Sequence, residues 1–302
     1  MNAKGARFST AVLGFSAACT AMSVLAFAAW AISDDQRWID YFLRAPIALM
    51  LVSLPVLEMG LAWHVARSFS ATEPLRRAWT WIAVSAAFAG AGALCTHIFG
   101  GDGPLGLWAV SIGRPELRLV EVGRLGQILG GTFRFGFLSA GLFFALRAYR
   151  SGGLLGHFRR IDWLLLAGLA AYVCAEFWDL AVAMRQGRRP DAFEAMGWPV
   201  DPLLWFLIAE SLLILRSVQR TGMGRIGRCW SALAVGVLLT SVGDIVLWAT
   251  GRGYLPWPWS SVGWFVWLPA ACAFALGPAY QLEAIQEALC RARYAPGADS
   301  IA

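Results

Sequence analysis

The sequence predicts an all-α polytopic integral membrane protein of eight transmembrane helices. Three observations carry that reading. The chain has 302 residues, 58% of them hydrophobic and only 15% charged, whereas a soluble domain is about one quarter charged. The apolar residues gather into eight runs, each long enough to cross a hydrocarbon core of about 30 Å. Most charges fall between those runs, and in lipid a run of this length satisfies its backbone polar groups only as a helix.

The runs lie at 10–32, 44–67, 79–99, 127–148, 162–184, 202–219, 229–250 and 260–281. The first follows the basic start MNAKGARFS, and no clear cleavage site comes after it, so it reads as a retained helix rather than a signal peptide. The sixth is interrupted by Glu210. Pro55, Pro269 and Pro278 fall inside helices and predict kinks. LRLVEVGRLGQIL, ahead of the fourth run, reads as a short amphipathic helix on the outer surface. The runs pair into four hairpins, 10–67, 79–148, 162–219 and 229–281, in a single membrane domain with a short tail at 282–302.

Orientation follows from the arginines. The side that holds the N-terminus collects Arg76, Arg77, Arg159, Arg160, Arg225 and Arg228, while the opposite loops balance their arginines with acids such as Asp34, Asp35, Asp40 and Asp102. Both termini are therefore expected in the cytoplasm, with the bacterial inner (plasma) membrane as the location. Trp198, Trp257 and Trp259 suit an interfacial belt on the outer side.

Several function classes are disfavoured. The arginines form no continuous basic face, which argues against nucleic acid. The six cysteines show no CxxC or zinc-like spacing, so neither a disulfide nor a metal site is expected. His64, His97 and His157 fall at different levels and do not converge on a metal or haem. GGDG at 100–103 lacks the preceding strand of a phosphate cradle. With no GxSxG and no HExxH, an enzyme is not the expectation, and no cofactor is assigned.

A motif recurs along the chain. RRAW (76–79), RRIDW (159–163) and GRCW (227–230) each open a helix. Two of those helices carry an acid near their outer end, Asp179 and Asp244. A Gly/Pro-rich loop follows, then a returning helix with an early Trp, in DPLLW (201–205) and SSVGW (260–264). Over 159–281 this pattern resembles the multi-pass membrane input regions of bacterial diguanylate cyclases and sensor kinases. The matching residues are Arg160, Trp163, Asp179, Pro190, Asp201, Trp205 and Arg216, then Arg228, Trp230, Gly243, Asp244, Pro256 and Trp264. The resemblance implies a sensing or signal-transmitting membrane module. Because 282–302 holds no catalytic domain, it also implies a separate cytoplasmic or membrane partner.

Six ionisable residues sit well inside the runs: Glu58, Arg134, Glu176, Asp179, Glu210 and Asp244. Each costs at least about 2.5–3.5 kcal/mol at mid-bilayer, so each should face the bundle and find a partner. At about 1.5 Å per residue, five of them share a slab in the outer half, and Glu58 lies deeper. Glu176 and Asp179, spaced three apart, share a helix face. Arg134 on the preceding helix is expected to pair with one of them. The remaining acids suit a proton or cation site, or a purely structural role between helices. The leading functional expectation is a sensory module with a polar pocket in the outer half. A small proton- or cation-coupled transporter and a non-catalytic scaffold subunit are the alternatives. A carrier calls for a polar path continuing past Glu58; a sensor calls for a pocket closed from below.

Overall fold

The computed structural model describes residues 8–33, 44–100, 112–113, 120–221, 224–251, 253–255 and 260–294. Asp34, Asp35, Asp40, Asp102, Pro256, Trp257 and Trp259 lie outside the described residues, as does the side chain of Trp264. The described chain is helical throughout, without a strand. Its elements are α1 (Phe8–Ser33), α2 (Arg44–Arg67), α3 (Pro74–Leu94), α4 (Val120–Ile128), α5 (Arg134–Ser151), α6 (Arg160–Arg185), α7 (Ala192–Gly197), α8 (Val200–Thr221), α9 (Arg225–Gly251) and α10 (Ser260–Tyr294). Among the described residues, eight helices are long and apolar enough to cross a membrane. They coincide with the eight runs read from the sequence.

Local chemistry sets several boundaries. Pro74 opens α3 from an extended Glu73, where its missing N–H costs nothing. The Arg159 backbone N–H donates to Asp162 Oδ2 at 2.7 Å, closing the first turn of α6. Gly187, at φ 90°, ends α6, and the Arg188 N–H reaches back to the Ala183 carbonyl at 3.1 Å.

Two π-helical turns interrupt the ladder, Cys95–Phe99 after α3 and Leu129–Phe133 between α4 and α5. The second corrects one expectation. The LRLVEVGRLGQIL segment is not a separate surface helix: its helical part runs through the π turn into α5, giving one span over Glu121–Ser151. Gly126 and Gly92 permit this, because they bring α4 against α3 with backbone on backbone. A Cβ on Gly92 would stand 2.7 Å from the Gly126 carbonyl.

Six helices close a ring: α2 packs on α3, α3 on α5, α5 on α8, α8 on α9, α9 on α10, and α10 back on α2. Helix α1 lies outside, against α2 and α10. Helix α6 also lies outside, packed on α8, and is the most exposed of the eight. Helices from different hairpins thus pack as extensively as those within one. Of the tryptophans that follow the arginine clusters, Trp79 and Trp230 are buried and meet with ring centroids 5.5 Å apart, whereas Trp163 is exposed.

The start of α1 meets the far part of α10. The Ser9 hydroxyl donates to Glu283 Oε1 at 2.8 Å and its backbone N–H donates to the same oxygen. Both described chain ends therefore share one face of the bundle, called here the terminal face. The opposite, distal face carries the loops after α3 and α6.

Candidate functional site

The ring is open in its distal half and filled in its terminal half. The opening is a cavity of about 700 Å³ walled by all six ring helices together with the α4 and π-turn segments. The terminal half holds a dense apolar core that includes Ala62, Val65, Trp79, Leu142, Leu207, Trp230 and Leu233. Helices α1 and α6 contribute nothing to the cavity wall.

Arg134 forms part of the cavity floor. Its Nη2 lies 3.8 Å from Glu58 Oε2, and its guanidinium stands 4.3 Å from the centroid of the Phe274 ring. Glu58 is buried behind it on α2. The expected ion pair of Arg134 with Glu176 or Asp179 is therefore overturned, for two physical reasons. The span containing Arg134 starts at Val120, about seven residues earlier than the apolar run suggests, which sets Arg134 about 10 Å deeper, level with Glu58. Helix α6, which carries both acids, lies outside the ring and packs on α8 rather than α5. Among the described residues, neither Arg134 Nε nor Glu58 Oε1 has a hydrogen-bond partner, although both atoms are buried.

Above the floor, Asp244 faces the cavity from α9 and Asp201 from the start of α8. Both carboxyl groups line the same cavity, and Trp267 on α10 comes up against Gly243, next to Asp244. Gly243 makes that approach possible: a Cβ there would overlap the Trp267 indole nitrogen. No ion pair reaches Asp201 or Asp244 among the described residues. Tyr172 on α6 donates to Asp201 Oδ1 at 3.4 Å and packs edge-on against Trp248, with centroids 5.7 Å apart. At the distal mouth Arg124 pairs with Asp191 at 2.8 Å, with both side chains nearly half exposed.

The remaining sequence candidates lie elsewhere. Glu210 accepts a hydrogen bond from the Ser139 hydroxyl at 2.8 Å, one turn below Arg134, and does not line the cavity. Glu176 stands near Tyr172 on α6, and Asp179 is on the same outer helix. So the six sequence candidates divide. Arg134 and Asp244 line the cavity; Glu58 supports Arg134; Glu210 is tied to Ser139; Glu176 and Asp179 are peripheral. Sequence reading noticed Asp201 only as a repeat position, and it did not identify Trp267. The spacing of Gly243 before Asp244 is the one sequence signal for a close approach there.

Comparison with family models, with curated proteins and with solved structures finds no match.

Proposed function

We propose that the chain is a multi-pass receptor of the bacterial inner membrane, with both ends in the cytoplasm, that senses a small molecule entering from the outer face. Arginine placement supports that orientation: the terminal face carries Arg76, Arg77, Arg159, Arg160 and Arg228. In this reading the distal face is external. Occupation of the cavity alters the packing of α9 and α10 around Asp244 and Trp267, and the change passes along those helices to a partner at the basic terminal face. The likeness to sensory input regions over 159–281 fits this role.

The observation that carries the proposal is the floor. The cavity stops at Arg134, Glu58 and Phe274, and below them lies the Ser139–Glu210 hydrogen bond and then a packed apolar core. A coupled carrier needs a polar route continuing inward; a receptor needs a closed end. Proton and potassium flux into proteoliposomes tests the choice. A receptor gives no flux above that of empty liposomes. Flux through the wild type that Asp244→Asn abolishes overturns the receptor in favour of a carrier.

A further inference from the structure

We propose that the cavity binds a small organic cation, its ammonium held by Asp244 and Asp201 beside Trp267 and its far end offering a hydrogen-bond acceptor to Arg134. This inference rests on the receptor reading and gives it a ligand class.

The charge balance inside the ring is the first argument. Arg134 is answered by Glu58, and Arg124 by Asp191. Asp201 and Asp244 remain, two carboxyl groups lining the same cavity with no ion pair among the described residues. A positive ligand group beside them supplies the missing counter-charge, and in a low-dielectric ring that attraction is larger than in water. The second argument is the wall itself. Trp267 lines the same cavity next to Asp244, and among aromatic side chains Trp is the best partner for an ammonium group. The third is the floor, where Arg134 lines the cavity and its guanidinium, 3.8 Å from Glu58, has N–H donors to spare. An unmet donor at the end of a cavity calls for an acceptor on whatever fills it.

A bare metal ion fits less well. No group of three His, Cys, Asp or Glu side chains gathers at ligand spacing among the described residues. The volume of about 700 Å³ is that of a pocket for a small organic molecule rather than an ion.

The test uses the full chain in detergent and isothermal titration with three probes. Benzoylcholine carries a quaternary ammonium and an ester acceptor. Neohexyl benzoate is its neutral isostere, with carbon in place of the charged nitrogen. Hippurate is an anion of similar size. Benzoylcholine is expected to bind at least about tenfold more tightly than either of the others, and Asp244→Asn is expected to remove most of that preference. The comparison of probes on the wild type holds even if the variant fails to fold. Equal binding of the isostere or of hippurate, or a preference untouched in a folded Asp244→Asn, overturns the cation assignment and leaves the receptor reading standing. Binding of none of the three overturns both.

Discussion

Arg134 Nη2 stands 3.8 Å from Glu58 Oε2, and the two side chains are 12% and 2% exposed. They join α5 to α2 across the middle of the ring and separate the cavity from the apolar core. Removing one member of a buried pair leaves an uncompensated charge, which costs about 3–5 kcal/mol, while replacing both with apolar residues of similar size is often near neutral. Arg134→Met and Glu58→Leu should each lower stability strongly, and the double variant should recover most of the loss. Unfolding titrations in detergent, run as a double-mutant cycle, measure this. Additive losses would mean that the two groups do not act as a pair.

A second buried pair fixes the outlying helix. Arg216 Nη2 and Nε donate to the two carboxylate oxygens of Asp162 at 2.6 and 2.9 Å. The preceding turn rests on the same place, with the Gly156 N–H donating to Ser217 Oγ at 2.8 Å. Bidentate arginine–carboxylate geometry is the strong kind. Arg216→Ala should therefore loosen the terminal end of α6 from α8. Backbone hydrogen exchange over 160–166 is expected to rise at least about tenfold while exchange in α3 is unchanged. Equal exchange in variant and wild type would show that α6 is held by something else.

Gly126 lies against Thr96 and the carbonyl of Gly92, where any side chain collides with backbone. Gly126→Val should cost about 1–3 kcal/mol by overpacking and should part α4 from the end of α3, where the two form one wall of the cavity. The measured outcome is a lower unfolding midpoint together with weaker probe binding. A fully stable Gly126→Val with unchanged binding would contradict the close helix contact.

The orientation is checked at two exposed loop positions, Ala71 after α2 and Gln186 after α6. In a chain with its six cysteines replaced, Ala71→Cys should react with a membrane-impermeant thiol reagent only in inside-out vesicles. Gln186→Cys should react only in right-side-out vesicles. The reverse pattern would place the cavity mouth in the cytoplasm.

The spans were legible because hydrophobic length is a one-dimensional property, and each of the eight runs overlaps a helix. Pairing was legible in part: α3 packs on α5 and α9 on α10 as hairpins, but contacts between hairpins depend on which helices become neighbours. Helix α6 is as apolar as its ring counterparts, and nothing in its composition marks it as peripheral, so Glu176 and Asp179 looked as central as Asp244. Arg134 was assigned too shallow a depth because Val120–Ile128 contains Glu121 and Arg124 and so falls below the apolar threshold, although it is helical. Glu58 stands among the sequence candidates, but its pairing with Arg134 does not follow from the apolar runs. Glu58 is the only acid within the first two runs and lies deep, whereas the runs place Arg134 in the outer slab. In the sequence Asp201 stands out only as a repeat position. Only the closed ring brings the first turn of α8 beside Asp244.

The central claim is a cavity reached from one face and sealed at the Arg134–Glu58 floor. Leu247 lines that cavity, and Leu142 lies in the core beneath it, 1% exposed. Single cysteines at the two positions, in the cysteine-replaced chain, are exposed to a charged methanethiosulfonate in right-side-out and in inside-out vesicles. The account predicts that Leu247→Cys is modified from the outer face alone and Leu142→Cys from neither. Modification of Leu247→Cys from both faces would reveal alternating access and contradict the closed floor.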